Sequence, residues 1–372
     1  MNNKTILVIP RDSIDYLEEA YMLIKTVGLE VVETFYIRKP NPRYYISLYT
    51  SKKIRELIEN SGINRVIIYD LVKPRQIINL AKELRVEIWD RTRLILEIFS
   101  IHAGSKEAKL QIELAKIKHE LPLIREYIRQ AKITELPGFL GPGRYAVDAY
   151  YRMLRSREAM IRRKLNKLKT RRIDRIRNRR NMGFTHVAIT GYTSAGKTTL
   201  FNLLVGEQKP TGPEAFTTLH PKTKRAIIRG RDVLFTDTVG FIRSVPVEII
   251  EAFHATLAEI VFSDLVLLVI DSSDSDSEIL EKLETSIITL KKIGLTGIPI
   301  VIALNKIDLI SPGEVSRKKE LIENYTTTFY SLVTDVVPVS ALRGDGLDLL
   351  REVLWKRLFT SIEYETGAKY TF

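Results

Sequence analysis

Residues 185–204 read THVAITGYTSAGKTTLFNLL. An apolar, β-rich run at 187–190 feeds Gly191-Tyr192-Thr193-Ser194-Ala195-Gly196-Lys197-Thr198, and a helical pattern with Leu200, Leu203 and Leu204 follows. This is the G-x-x-x-x-G-K-[ST] spacing in strand–loop–helix order. Glycines let successive main-chain N–H groups turn inward around phosphate oxygens. The N-terminus of the following helix adds partial positive charge. Lys197 places an ammonium on the β- and γ-phosphates, and Thr198 offers its hydroxyl to Mg²⁺. Gly191, Ser194, Ala195, Gly196, Lys197, Thr198 and Thr199 are the expected contacts for the phosphate chain.

Three later motifs follow short apolar runs in order. Residues 233–235 run into Asp237-Thr238-Val239-Gly240. An Asp at a strand end is placed to hold the Mg²⁺ shell, and the Gly240 N–H can meet the γ-phosphate. Residues 300–304 precede Asn305-Lys306-Ile307-Asp308. The Asp308 carboxylate can accept from guanine N1–H and N2–H. Adenine lacks those donors and would leave a buried carboxylate unpaired. Lys306 can lay its stem on the base, and Asn305 can tie the base to the phosphate loop. Ser340-Ala341-Leu342 follows a run at 337–339 and can present N–H groups to guanine O6. A further run, 265–270, ends at Asp271-Ser272-Ser273-Asp274-Ser275-Asp276. That stretch is metal-like in composition but reads better as a strand-end loop capping the next helix.

Outward from this segment the chain changes character twice. Residues 1–104 alternate β-rich runs (4–9, 30–36, 65–69, 86–89) with helical patterns (14–27, 52–60, 74–82), the rhythm of a small parallel α/β domain. Gly28 is an expected helix stop, and Ser51 an expected N-cap. In residues 105–182, Leu110, Leu114, Ile117, Leu121, Ile124 and Ile128 form a heptad seam, with Pro122 an expected kink or break. The Gly/Pro-rich stretch PGFLGPG at 137–143 cannot continue that helix. A second pattern over 144–180 carries Leu154, Ile161, Leu165 and Leu168 and ends in KTRRIDRIRNRR. An antiparallel helical hairpin is expected, with Phe139, Tyr145, Tyr150 and Tyr151 near its tip either stacking on bases or filling its core.

The 372 residues carry net charge +13. Residues 1–104 contribute 16 basic and 13 acidic side chains, 105–182 contribute 22 and 8, and 183–372 contribute 20 and 24. The hairpin thus holds the excess, which points to phosphate backbone as its partner. Cysteine is absent, which excludes disulfide scaffolds, cysteine–zinc sites and thiol catalysis. No window holds the ~18 apolar residues of a membrane span, and the N-terminal apolar stretch is too short for a signal peptide. A cytoplasmic protein is expected, with a peripheral place on membrane as an alternative.

GYTSAGKTTLFN, FTTLHP at 216–221 and DTVGFI at 237–242 together resemble the HflX family, within the translation-factor-like branch of the P-loop GTPases. Residues 90–122, DRTRLILEIFSIHAGSKEAKLQIELAKIKHELP, and GPG at 141–143 extend the resemblance upstream. Bacterial members usually follow that GPG with ETQLE, whereas here Arg144-Tyr145-Ala146-Val147-Asp148 follows. The resemblance implies a GTPase domain at 183–358, a mostly parallel sheet with helices on both faces. Before it would come the α/β domain (1–104) and the hairpin (105–182), and after it a tail (359–372). It implies a GTPase that binds the ribosome, chiefly the large subunit and its RNA, in splitting, rescue or recycling. The alternatives are an RNA-binding GTPase of ribosome assembly and a nucleotide-gated module on acidic membrane. The family threonine that closes over Mg²⁺ matches Thr218, with Thr217 beside it. Metal ligands would be Thr198, Thr218 and Asp237, and the catalytic set Lys197, Thr218 and Gly240. Phe241 stands where Ras-like enzymes carry a water-orienting Gln, which implies slow intrinsic hydrolysis stimulated by the ribosome.

Overall fold

Four short runs near the N-terminus pair into one parallel sheet: β1 (Lys4–Pro10), β2 (Glu30–Ile37), β3 (Arg65–Ile68) and β4 (Glu87–Asp90), in the order β2-β1-β3-β4. The computed structural model describes residues 3–134, 142–181, 183–207, 222–238, 240–241, 260–330 and 332–367. The chain divides into two compact units, with the main boundary between Leu168 and Lys169.

In the first unit, Ile6, Leu7, Val8 and Ile9 of β1 are fully buried, as a parallel strand covered on both faces requires. Helices α1 (Leu17–Thr26), α2 (Leu48–Ser61) and α3 (Pro74–Leu84) connect the strands. The N-cap of α2 is Ser47 rather than Ser51: Ser47 is extended and accepts from the Thr50 N–H, while Ser51 lies buried inside the helix. Asp90 both ends β4 and caps α4 (Arg91–His102), accepting from the Arg93 N–H at 2.8 Å. The buried Leu94, Ile95, Leu96, Ile98 and Phe99 leave α4 without a one-sided apolar stripe.

The hairpin consists of α5 (Lys106–Thr134) and α6 (Pro142–Asn181). Helix α5 continues through Pro122, although an interior proline costs ~3 kcal/mol. Packing on both sides offsets that loss. Leu110, Ile117 and Leu121 meet Leu154 and Ile161 of α6, while Leu123 packs against the core beside the sheet. Ion pairing of Arg157 with Glu113, and the bond from the Tyr150 hydroxyl to Glu120, set the helices antiparallel. Tyr151 packs against this hairpin core and accepts from Arg125 at 3.0 Å. The end of the Gly/Pro stretch is helical, because Pro142 opens α6, where its missing N–H is no loss. The rest of the tip, with Phe139, lies outside the described residues. Bonds from Lys82 to Gln130 (2.9 Å) and from His119 to Asp90 (2.9 Å) tie α5 to the sheet domain.

The second unit is built on β5 (Thr185–Gly191), β6 (Lys222–Ile228), β7 (Arg231–Asp237), β8 (Leu265–Asp271), β9 (Ile300–Asn305) and β10 (Val333–Pro338). The order is β10-β9-β8-β5-β7-β6, parallel except for β6, which runs antiparallel to β7. Helices α7 (Lys197–Val205), α8 (Asp276–Lys292), α9 (Pro312–Phe329) and α10 (Leu347–Gly367) accompany it. The expected boundary at 358/359 falls inside α10, whose Leu354, Leu358 and Phe359 share one core with Val187, Leu200 and Phe235. The mostly parallel α/β architecture read from the motifs is the one observed. Every motif residue within the description sits at or just after the C-terminal end of a parallel strand, the edge where open α/β sheets place ligands.

Candidate nucleotide-binding site

The chain leaves β5 at Gly191 and enters α7 at Lys197, and the loop between is held by backbone close approach. Gly191 has φ +141°, and a Cβ there would lie 2.2 Å from the Val269 carbonyl oxygen. Gly196 has φ +91°, and a Cβ there would lie 2.2 Å from Asn305 Nδ2. Ser194 adopts a left-handed φ of +63° without being glycine. Phe241 straps the loop from outside: its N–H donates to the Gly191 carbonyl (2.9 Å), and its carbonyl accepts from the Thr193 N–H (2.8 Å). The Phe241 ring is buried, and as a hydrocarbon it has no polar group to offer a water.

Lys197 is 7% exposed, and its Nζ donates to the Tyr192 carbonyl. Burial pulls its pKa down from 10.5 to about 8, while the Asp237 carboxylate pulls the other way. A Cβ on Gly240 would lie 2.7 Å from that Nζ, so the glycine's main chain passes directly over the ammonium. The Thr198 hydroxyl donates to Asp237 Oδ2 at 2.9 Å, with Asp237 fully buried at the end of β7. This oxygen-only pair could furnish the protein ligands for a hard divalent cation. Thr199 follows in the first turn of α7. Thr218 and Thr217 lie outside the described residues.

With phosphates at Lys197, as the motif leads one to expect, its lowered pKa predicts proton-linked binding: the phosphates would restore the ordinary lysine value, and above pH of about 8 binding would draw in a proton. Affinity for GDP is expected to be flat below pH 8, then to fall about tenfold per pH unit towards pH 10. Calorimetry at pH ~9.5 in buffers of different ionisation enthalpy should show uptake approaching about one proton per site.

On the base side, Asn305 bridges two loops. Its Nδ2 donates to the Ala195 carbonyl at 2.8 Å, and its Oδ1 accepts from the Ala341 N–H at 2.9 Å. Thus the side chain ties the phosphate loop to the 340–342 turn, whichever part of a nucleotide it also meets. Lys306 has φ +67°, a left-handed kink at the end of β9, and its Nζ pairs with Asp271. Asp308 Oδ1 accepts from the buried Ser340 hydroxyl at 2.6 Å. The Leu342 side chain is 80% exposed, which leaves its main chain as the part able to serve a base. Sequence reasoning misses Asp271 and the Ser340 hydroxyl because each acts through a contact more than 30 positions away, and the Tyr192 carbonyl because a main-chain acceptor carries no residue signal.

The acidic run 271–276 is the cap of α8. Ser275 is the N-cap and forms a reciprocal box with Glu278. Each carboxylate of the run faces a different cation: Asp271 faces Lys306, Asp274 faces Lys282 at 2.6 Å, and Asp276 faces Arg317. Among the described residues, no group of three or more His, Asp or Glu is placed to hold a metal ion.

Comparison with known proteins matches the chain piece by piece. Residues 14–100 match the family described as "GTP-binding GTPase N-terminal", 102–180 "GTP-binding GTPase Middle Region", and 186–306 "50S ribosome-binding GTPase". Residues 253–360 match "Elongation factor Tu GTP binding domain". The GTPase HflX of Hyperthermus butylicus is 48% identical over 350 residues, 92% of each chain. That of Saccharolobus solfataricus is 38% identical over 92% of this chain and 96% of its own. That of Escherichia coli is 31% identical over 94% of this chain and 80% of its own. Among solved structures, a GTP-binding protein of Sulfolobus solfataricus in complex with GDP aligns with TM-score 0.53 and 33% identity, covering 96% of this chain and 99% of that one. A shared nucleotide fold alone does not produce identity of this extent upstream of the phosphate loop as well as within it: the chain belongs to the HflX family of GTPases and hydrolyses GTP.

Proposed function

We propose that this GTPase works on the ribosome, lodging its basic hairpin in the RNA of the large subunit while GTP and Mg²⁺ are bound and leaving after hydrolysis. The observation that carries this reading is the charge distribution. Residues 105–182 hold 22 basic against 8 acidic side chains, whereas 183–372 hold 20 against 24. A slightly acidic GTPase segment is a poor RNA anchor, and the hairpin is a strong one. The match of 186–306 to a family described as 50S ribosome-binding supports the same partner. The absence, among the described residues, of a helix long and apolar enough to cross a membrane is compatible with work in the cytoplasm.

Guanine would be selected at Asp308, with Lys306 along the base and the 340–342 turn at O6. Thr198, Asp237 and Thr218 would hold Mg²⁺, whose charge offsets that developing on the phosphates. The fit of Thr198 and Asp237 rests on the 2.9 Å approach of the Thr198 hydroxyl to the Asp237 carboxylate. Lys197 holds the β- and γ-phosphates, and the Gly240 main chain meets the γ-phosphate beside it. Loss of that phosphate releases the segments around Thr218 and Gly240, and with them the affinity for the subunit. With Phe241 buried and apolar, alignment of the attacking water falls to another group, and the chain alone turns over slowly.

Saturating large subunits are therefore expected to raise GTP turnover at least tenfold, since water alignment is worth several powers of ten. Turnover unchanged by purified subunits would overturn the coupling. Sedimentation of whole ribosomes with the protein and GTP then separates the roles: growth of the free-subunit peaks marks splitting, and association with precursor particles alone marks assembly.

A further inference from the structure

We propose that Asp271, at the end of β8, is a positioning residue for the base: its carboxylate fixes the Lys306 ammonium so that the lysine stem forms one wall of the guanine pocket. The inference rests on the reading that residues 305–308 receive guanine.

Lys306 begins as a long, flexible side chain, and covering a base requires it to be held in one arrangement. Its backbone sets the direction. A non-glycine residue at φ +67° accepts backbone strain to turn the chain out of β9. β8 and β9 then set the partner, because Asp271 stands opposite Asn305 in the parallel register and the Ser272 N–H continues the ladder to the Asn305 carbonyl at 2.8 Å. The carboxylate itself is oriented. Asp271 Oδ1 accepts from the Ser273 N–H (2.9 Å) and the Ser273 hydroxyl (2.6 Å), which turns Oδ2 towards Lys306. Asp271 is 13% exposed and Lys306 31%, so the pair is partly withdrawn from water, where a charge-assisted bond exceeds a surface ion pair.

The loop that carries Asp271 is braced from behind. Lys318, buried in α9, donates to the carbonyls of Ser272 (2.7 Å) and Asp274 (2.6 Å). Lys282 pairs with Asp274, and its ammonium also lies 5.9 Å from the centroid of the Tyr192 ring in the phosphate loop. Arg317 pairs with Asp276. A carboxylate needed only for capping would not call for three cations anchoring its neighbours. A carboxylate that must hold a lysine in place does.

The test is a double-mutant cycle on the full chain, read as affinity for fluorescent GDP and as kcat and KM for GTP. Asp271→Asn keeps the Ser273 bonds to Oδ1 and loses the charge. It is expected to weaken GDP and raise KM about tenfold, with kcat within about twofold. Lys306→Ala is expected to lose as much or more, and the double variant no more than Lys306→Ala alone. Competition by inorganic tripolyphosphate, which has no base, should be unchanged in Asp271→Asn. Additive losses, an unaffected single variant, or an equal loss of tripolyphosphate binding would each overturn the proposal. Asp308→Asn in parallel separates the two readings. If it leaves GDP affinity intact, guanine is not held at 305–308. If it removes GDP affinity while Asp271→Asn does not, only the role of Asp271 fails.

Discussion

Replacing Lys197 with alanine is expected to remove measurable GDP and GTP binding, a loss of about 10³-fold or more. The lysine is 7% exposed, beneath a loop whose other groups are main-chain dipoles, so no second full positive charge on the loop can take over its work. Its stability effect should run the other way. Burial drives the free ammonium's pKa down to about 8, which means the folded, empty protein bears the cost of keeping a charge out of water. Below pH 8 alanine removes that cost, so the unliganded variant should melt no lower than the parent. The increment in Tm that GDP adds to the parent should vanish, since only ligand that binds the native state stabilises it. A variant that melts several degrees lower without ligand has lost its fold rather than its charge. A variant that keeps the GDP increment shows that the phosphates are held elsewhere.

Much of the fold was legible because its strands are short apolar runs closed by polar residues of distinct type. Asp237, Asp271 and Asn305 each end a strand of the central sheet. The heptad seam was legible because apolar positions recur at a helical period, and five of its six residues, all but Ile128, join the hairpin core. Elements that depend on tertiary context were not. Pro122 looked like a break because an isolated helix would lose a bond there, but α5 is packed on two sides and continues. Ser51 looked like a cap because Ser47 precedes Leu48 and Tyr49, and local sequence cannot show that both belong to the helix. Strand β6 is an edge strand that exposes Lys222, Lys224, Arg225 and Ile227, and its pairing with β7, not an apolar run, makes it a strand.

The candidate site divides in the same way. Residues whose role is local, such as the glycines and the Lys-Thr pair of the phosphate loop, announce themselves by spacing. Those whose role is a long-range pair do not. Lys306 and Asp271 are 35 positions apart in the chain, and only the β8–β9 register brings them together. The acidic run 271–276 was ambiguous because composition alone cannot distinguish carboxylates that share a metal from carboxylates that each face a cation. Three different helices and loops supply those cations.

Asp308→Asn is expected to exchange guanine for xanthine, lowering GDP affinity about 10³-fold and raising that of xanthosine diphosphate by a similar factor. The sign follows from hydrogen-bond polarity. A carboxylate accepts from both N1–H and N2–H of guanine. The amide keeps one acceptor but turns the other position into a donor, which opposes the guanine amino group and meets the xanthine carbonyl instead. The surroundings favour a clean exchange. The Ser340 hydroxyl donates to Asp308 Oδ1 at 2.6 Å, and that oxygen remains an acceptor in asparagine, so the variant has a reason to keep the same orientation. Asn305 is untouched and still joins the phosphate loop to the Ala341 N–H, so phosphate affinity should survive. The measurement is competition of both diphosphates against one fluorescent nucleotide, in parent and variant. Loss of both ligands would mean that the 340 turn collapsed. Loss of neither would place the base away from Asp308, and with it the basis for reading this chain's guanine preference from its sequence.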